Sequence, residues 1–276
     1  MKFKSPIISS TELLSILDNE NLIILDCTID KVGKSLKDET LELIPNSRFF
    51  DLENRFSDHK SAFPHTLVSP QVFTREAQLL GINNESILIC YDRWGVYSSP
   101  RAWWMFKTMG FNDVYVLNGG LNAWKEENKA TKSFYAPAED LGNFVANLNE
   151  NWLANVNDVL DSLENKDIKV IDARSNERFY GLVDEPRAGL RKGHIPNALN
   201  VPFEEVLKNS HYKSDEELNN ILGENSEKEE LIFTCGSGIT ASILALANHQ
   251  IHPTQISKVY DGSWAEWGKD EELPIE

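Results

Sequence analysis

The sequence predicts an α/β protein with two copies of one domain, each a mainly parallel sheet flanked by helices. Three observations lead to this prediction: an internal repeat, short apolar runs that end in aspartate, and helical segments between those runs. Four matches in the same order along the chain predict a duplicated domain. The matching segments are 22–30 with 168–176, 43–53 with 194–204, 86–95 with 229–238, and 116–124 with 259–267.

Each half contains the same predicted elements. Apolar runs that end at Asp26 and at Asp172 are typical of buried parallel strands. An "IPN" turn leads to a second strand, and a helical segment such as 69–81, which ends in glycine, follows it. A further strand, helix and strand complete the half, so the sheet should carry helices on both faces. We expect domains at 1–128 and 148–276, joined by the polar, proline-containing linker 129–147.

The composition disfavours several classes of protein. The chain has 276 residues, of which 41% are hydrophobic and 25% charged, as in an ordinary globular protein with room for two domains. Its net charge of -16 repels polyanions, so we expect no nucleic-acid partner. No apolar run approaches the ~18 residues of a membrane span, and the N-terminus lacks a signal-peptide core. We therefore expect a cytoplasmic protein without a membrane partner.

Three widely spaced cysteines, Cys27, Cys90 and Cys235, argue against a disulfide framework and a zinc site. We expect no metal and no organic cofactor. Cys27 and Cys90 lie in apolar runs and are expected to be small buried side chains. Cys235 differs, because it ends the run "LIFT" and is followed by small residues and then by an apolar helical pattern.

The loop "CGSGIT" (235–240) is suited to a sulfur anion. Chemistry in a parallel α/β sheet collects at the carboxyl ends of strands. Gly236 and Gly238 permit a tight turn that aims backbone N–H groups inward, and the following helix adds its positive end. These features stabilise a thiolate or a persulfide anion, and Ser237 and Thr240 add hydroxyl groups. The alternative is a buried cysteine beside an ordinary strand-to-helix turn.

Other cysteine chemistries fit less well. A cysteine phosphatase needs an arginine six residues after the cysteine, where this chain has Ala241, and Thr234 stands where such enzymes often have histidine. Nothing near Cys235 matches the local signature of papain-like proteases. In the first half, Asp92 occupies the position equivalent to Cys235. A carboxylate cannot form a persulfide, so the first domain is expected to be catalytically silent.

Over nearly its whole length, the sequence resembles the tandem-rhodanese sulfurtransferases. Within them it resembles the branch that uses 3-mercaptopyruvate as sulfur donor. The segments that carry the resemblance are "CGSGIT" (235–240), "DARSNERF" (172–179), "DEPRAGLRKGHIPNALNVPF" (184–203) and "SSPRAWWMF" (98–106). The resemblance implies two rhodanese-like domains and a two-step reaction. Sulfur passes from 3-mercaptopyruvate to Cys235 with release of pyruvate, and then to a thiol, cyanide or a thioredoxin-like protein.

The resemblance also implies roles for individual residues. Cys235 carries the sulfur and Ser237 assists it, while a first-domain acid and histidine correspond approximately to Glu53 and His65, with one extra residue between them. The remaining implied site residues bind substrate, and they are Arg178, Arg187, Gly236, Gly238, Ile239 and Thr240. Arg174 and Arg191 are expected to be structural or surface residues, and His194 a turn or core residue.

Donor choice follows from the residues after the cysteine. Thiosulfate-specific relatives carry arginine and lysine there, where this chain has Gly236 and Ser237. Thiosulfate has charge beside the transferred sulfur, whereas the charge of 3-mercaptopyruvate lies on a distant carboxylate, so a neutral loop favours the latter. Two alternatives stay open: a thiosulfate sulfurtransferase, and a non-enzymatic persulfide carrier or redox module.

Overall fold

The computed structural model describes residues 3–31, 33–225 and 227–276, which form two compact units. The first unit contains the described residues up to Asp58, together with Leu67–Leu148 and Asn209–Tyr212. The second contains His59–Thr66, Asn149–Lys208 and the described residues from Lys213 to Glu276. Each unit therefore includes one short segment from the other half of the sequence. The domain boundaries expected from sequence stay predictions.

The first unit has a five-stranded sheet, and every neighbouring pair of its strands is parallel. In chain order its strands are β1 (Ile7–Ile8), β2 (Leu22–Asp26), β3 (Ser47–Phe49), β4 (Ile87–Tyr91) and β5 (Val114–Leu117). The sheet order is β1-β5-β4-β2-β3. Its helices are α1 (Ser10–Leu14), α2 (Pro70–Leu79), α3 (Ser99–Thr108) and α4 (Gly120–Glu126), with a 3₁₀ turn at Leu36–Asp38.

The second unit repeats this sheet. Its strands are β6 (Leu153–Ala154), β7 (Ile168–Asp172), β8 (Leu199–Asn200), β9 (Leu207–Lys208), β11 (Glu230–Thr234) and β12 (Ile256–Tyr260), while the short strand β10 (His211–Tyr212) belongs to the first unit. The main sheet has the order β6-β12-β11-β7-β8 and is parallel. Both sheets thus place equivalent strands in equivalent positions, which confirms the predicted α/β fold and its duplication.

The second unit has five helices among the described residues, and the helix after Cys235 lies where the apolar helical pattern predicts one. They are α5 (Val156–Asp161), α6 (Asn176–Phe179), α7 (Asp215–Leu222), α8 (Ala241–Ile251) and α9 (Ser263–Trp267), and 3₁₀ turns span Glu150–Trp152, Phe203–Val206 and Gly223–Asn225. No helix in the described ranges is long and apolar enough to cross a membrane.

Local chemistry explains the shared turns and strands. Asn46 and Asn197, in the two "IPN" turns, have φ values of 64° and 63°, in the left-handed region that asparagine tolerates better than most residues. All five residues of β4 are buried, as expected for a central strand covered on both faces. The first eight residues of α8 are also buried, so this helix lies against the sheet and holds its N-terminus beside the loop after β11.

Candidate active site

Cys235 directly follows β11, at the carboxyl end of a central strand, and α8 begins six residues later. Its exposed fraction is only 2%, so the thiol lies in a protected site. Cys27 and Cys90 are fully buried in the first unit, in agreement with the expectation that they are packing residues. Among the three thiols, only that of Cys235 stands at a strand end followed by a glycine-rich loop.

The loop after Cys235 has backbone donors without acceptors. Within the described part of the chain, the N–H groups of residues 236–240 donate no hydrogen bond. Gly238 has a φ of 80°, which glycine adopts without the steric cost that other residues meet. The Gly238 carbonyl accepts the Ser242 hydroxyl at 2.9 Å, so this carbonyl is directed towards α8. Unpaired N–H groups at a helix N-terminus are a binding site for an anion.

The other predicted loop residues support this arrangement. Ile239 is 4% exposed, and its carbonyl accepts the Ser242 N–H at 3.2 Å. Thr240 precedes α8 and makes no side-chain capping bond, so it leaves the helix N-terminus open.

Ser237 joins the loop to two other predicted site residues. Its hydroxyl lies 3.0 Å from Nδ1 of His65 and accepts a hydrogen bond from Nη2 of Arg187 at 3.2 Å. His65 belongs to the short segment 59–66 that the structure includes in the second unit. Its φ of 61° is unusual for a residue other than glycine. The fold therefore brings three of the predicted residues together beside Cys235.

Arg178 and Arg187 converge on Gly236. A Cβ atom at Gly236 would lie 3.0 Å from Nη2 of Arg178 and 3.6 Å from Nη1 of Arg187. Glycine is needed here for close approach, since any side chain would occupy the space beside the guanidinium groups. Arg178 also donates to the carboxylate of Glu185, at 3.3 Å through Nε and 2.5 Å through Nη2. Glu185 thereby fixes the direction of Arg178.

Arg174 is the buried support of this cluster. It donates to the Asp172 carboxylate, to Glu185 at 2.9 Å and to the Gly193 carbonyl at 2.9 Å. Its guanidinium lies 4.1 Å from the ring centroid of Trp264, in a cation–π contact. Burial alone would lower the pKa of Arg174, but the carboxylates of Asp172 and Glu185 raise it above its usual value. The cluster therefore holds a permanent cation at its centre.

Arg191 and His194 have structural contacts, as expected from sequence. Arg191 donates to the carbonyls of Trp267 at 2.9 Å and Leu273 at 3.0 Å, which ties down the C-terminal segment. His194 stacks on Phe179 at a centroid distance of 3.8 Å. Nδ1 of His194 lies 3.1 Å from the carbonyl oxygen of Phe179.

Glu53 lies in the first unit and is exposed. Partial burial raises its pKa, and the charges of Asp30 and Asp51 raise it further. Its predicted cooperation with His65 stays a prediction.

The structure adds two residues to the candidate site that the sequence did not single out. Glu185, two residues before Arg187, links Arg174 to Arg178. Ser263 accepts the Cys235 N–H at 3.4 Å. No sequence pattern marks Glu185 as buried; for Ser263, the internal repeat offered a signal, since it aligns Ser263 with Gly120.

A cavity of about 450 Å³ in the second unit contains none of these residues in its lining. It is lined by the first residues of β7 and by segments that flank this strand, whereas Cys235 follows the carboxyl end of β11. The assignment of the site therefore rests on side-chain chemistry rather than on cavity size.

Comparison with known proteins identifies the class of protein. The family model of the rhodanese-like domain matches residues 9–127 and 155–270. The chain therefore belongs to the rhodanese family, and it has two rhodanese-like domains, as the sequence predicted.

Individual relatives indicate which branch of the family this chain resembles. The 3-mercaptopyruvate sulfurtransferase of Escherichia coli K12 is 38% identical over 267 residues, which cover 94% of both chains. The enzyme of that name from Rattus norvegicus is 36% identical over 257 residues, 90% of this chain and 86% of that one. The crystal structure of SseA from Escherichia coli matches with a TM-score of 0.83 and 34% identity, and covers 95% of this chain and 100% of that chain. The chain is thus a sulfurtransferase, and its predicted resemblance to this branch is confirmed.

Proposed function

We propose that the protein transfers sulfur from 3-mercaptopyruvate to an acceptor through a persulfide on Cys235. The observation that carries this proposal is the convergence of Arg178 and Arg187 on Gly236, the residue that follows Cys235 in the chain. Arginine is suited to a bidentate grip on a carboxylate, and the donor has a carboxylate and a ketone beyond its reactive carbon. The two guanidinium groups would hold these oxygens while the sulfur faces Cys235.

The proposed transfer balances without an external oxidant. The Cys235 thiolate attacks the sulfur of the donor, a sulfur–sulfur bond forms, and the carbon–sulfur bond breaks. The electron pair of the broken bond stays on carbon as the enolate of pyruvate. The proton of the donor thiol passes to that carbon, and the products are a Cys235 persulfide anion and pyruvate. The unpaired N–H groups of residues 236–240 would then stabilise the persulfide.

His65 and Ser237 are suited to the proton transfer. The 3.0 Å contact between Nδ1 and the hydroxyl allows a proton to move through Ser237 between the substrate and the imidazole. Arg187, at 3.2 Å from the same hydroxyl, would link substrate binding to the orientation of Ser237.

The geometry favours 3-mercaptopyruvate over thiosulfate. The cations of this site reach the loop from Arg178 and Arg187, and the loop itself carries none. A side chain at position 236 would compete with both guanidinium groups for the same space. Thiosulfate sulfurtransferase activity and a persulfide carrier loaded by a partner enzyme are the alternative functions.

The second half of the reaction needs a nucleophile that attacks the outer persulfide sulfur. A small thiol, cyanide or a thioredoxin-like protein has this chemistry, and we propose these as acceptors. The expected cytoplasmic location remains a prediction from the sequence.

A side-by-side donor assay tests the proposal. Pyruvate release from 3-mercaptopyruvate and thiocyanate release from thiosulfate with cyanide would be compared for wild type, Arg187→Ala, Cys235→Ser and the exposed control Arg75→Ala. We expect kcat/KM to be higher with 3-mercaptopyruvate. Arg187→Ala should lower it by about 10- to 100-fold, since a hydrogen bond to a charged group contributes roughly 1.5–3 kcal/mol. Arg75→Ala should match wild type.

Two results would contradict the proposal. A higher kcat/KM with thiosulfate would favour the alternative donor. Pyruvate release by Cys235→Ser at the wild-type rate would remove the persulfide step.

A further inference from the structure

Ser263, the first residue of α9, has an unusual backbone conformation beside the reactive cysteine. Its φ is 49°, in the left-handed region that residues with a Cβ rarely adopt, and the residue is fully buried. The repeat aligns Ser263 with Gly120 of the first unit, which has a φ of 55°. Both units therefore have a left-handed residue at the start of this helix, although the glycines before it differ, with a φ of 77° at Gly119 and -66° at Gly262. The unit that carries the thiol has serine at the left-handed position, at a steric cost that glycine avoids.

The turn at Ser263 brings the first N–H groups of α9 into hydrogen-bonding distance of the backbone that follows β11. The N–H of Trp264 donates to the Cys235 carbonyl at 2.9 Å, and the N–H of Ala265 donates to the Gly236 carbonyl at 3.1 Å. The Ser263 hydroxyl accepts the Cys235 N–H at 3.4 Å and donates to the Tyr260 carbonyl at 2.8 Å. Three hydrogen bonds thus hold one side of the Cys235–Gly236 backbone.

These bonds determine where the loop donors point. In a trans peptide, the carbonyl of one residue and the N–H of the next point in opposite directions. Because the carbonyls of Cys235 and Gly236 face α9, the N–H groups of Gly236 and Ser237 face away from α9, into the loop. Those two N–H groups are among the donors that the loop leaves unpaired.

The first unit has the left-handed residue and the backbone hydrogen bond but no hydroxyl at the equivalent position. There the N–H of Leu121 donates to the Asp92 carbonyl at 3.1 Å, which is the equivalent of the bond from Trp264 to Cys235. Gly120 forms this turn without a side chain. The hydroxyl on the N–H of the strand-end residue is therefore an addition found in the unit that carries the thiol.

We propose that Ser263 is a positioning residue of the sulfur site. Its hydroxyl holds the Cys235 N–H, while its turn holds the two following carbonyls, so that the N–H groups of Gly236 and Ser237 stay directed at the sulfur anion. This inference rests on the proposed function, since it deepens the role of the same loop. A serine that served stability alone would change the unfolding temperature and leave the chemical step unchanged.

The test compares Ser263→Gly, Ser263→Ala and the control Ser257→Ala, a buried serine of β12. Ser263→Gly permits the left-handed φ and removes the hydroxyl together with Cβ. It should lower kcat and the single-turnover rate of persulfide formation by about three- to tenfold, the effect of one hydrogen bond, with KM within about twofold. Its unfolding temperature should not fall by more than that of the control, because glycine relieves the strain.

Ser263→Ala should lose at least as much activity and also unfold at a lower temperature, since the strained φ remains while the hydroxyl is lost. Ser257→Ala should keep wild-type kinetics. A wild-type single-turnover rate in Ser263→Gly would overturn the proposal.

A second measurement does not depend on the sulfur donor. The rate of Cys235 alkylation by iodoacetamide, followed by peptide mass, should fall about threefold or more in Ser263→Gly relative to wild type and Ser257→Ala. If wild type forms no persulfide from 3-mercaptopyruvate, the proposed function fails, and this rate still decides the role of Ser263. An unchanged alkylation rate would contradict it.

Discussion

The loops after β4 and after β11 occupy equivalent places in the two units, but their backbone N–H groups differ in whether an anionic side chain accepts their hydrogen bonds. In the first unit, Asp92 Oδ2 accepts the N–H groups of Tyr97, Ser98 and Ser99 at 2.8, 3.1 and 3.0 Å. It also accepts the Ser99 hydroxyl at 2.8 Å, and Oδ1 accepts the Trp94 N–H at 3.1 Å. In the second unit, the N–H groups of residues 236–240 have no acceptor among the described residues.

The difference shows that one scaffold serves two purposes. A strand end, a glycine-containing loop and a helix N-terminus form a set of donors directed at one point. The first unit satisfies its donors with its own carboxylate, so the loop is closed and structural. The second unit has a thiol there, and its loop donors have no acceptor among the described residues, which fits the sulfur anion of the proposed function. We infer that the proposed difference in reactivity between the two units comes from one exchanged side chain and the loop built around it.

The comparison is tested most severely by Cys235→Asp, which copies the first unit. Activity should fall by at least about 1000-fold, because a carboxylate cannot carry the sulfur. The carboxylate should accept the loop N–H groups, so this variant should unfold at a higher temperature than Cys235→Ala. Steady-state assays and thermal unfolding in buffer without sulfate or phosphate would measure both effects. A lower unfolding temperature for Cys235→Asp would show that the loop does not favour an anion.

The reverse change, Asp92→Ala, should affect stability rather than chemistry. Without the Asp92 carboxylate, the buried N–H groups of this loop would lose their acceptor. This loss should lower the free energy of unfolding by about 2–4 kcal/mol. Asp92→Asn keeps one acceptor oxygen and should lose less. Urea unfolding would give the two values, and kcat per folded molecule should stay within about twofold of wild type. A stability equal to wild type in Asp92→Ala would mean that the loop needs no internal anion.

The smallest expected effect concerns the strand-end aspartates. Asp172 contacts the buried Arg174, whereas Asp26 contacts Arg93 at 3.4 Å and the hydroxyls of Thr28 and Tyr135. Burial raises the pKa of Asp26, and the contacts with Thr28 and Arg93 only partly oppose this. The folded protein therefore holds this proton more tightly than the unfolded chain does.

The sign of the pH effect follows from that difference. Stability contributed by protonated Asp26 is present below the unfolded pKa and is lost as pH rises through the raised folded pKa. Asp26→Asn carries no such proton, so its free energy of unfolding relative to wild type should increase between pH 4 and pH 7. Urea unfolding at several pH values would measure the difference. Parallel curves for variant and wild type would show that the Asp26 pKa is the same in both states.

Much of the fold followed from local patterns. The apolar runs ending at Asp26 and Asp172, the "IPN" turns and the helical segments between the runs predicted two parallel sheets. These features act over a few residues, where strand pleating and turn sterics decide the conformation. The internal repeat supported these predictions, because each predicted element in one half could be compared with the equivalent element in the other half.

The sequence by itself also led to the prediction that Cys235 is the reactive thiol and that Arg178 and Arg187 bind substrate beside it. Cys235 stands at a strand end before small residues, and Arg178 and Arg187 match a family motif. Only the tertiary structure decided that His65 contacts Ser237, that Glu185 holds Arg178, and that Ser263 holds Cys235. The physical reason is that such contacts depend on packing between segments far apart in the chain, and on burial that makes each polar group require a partner.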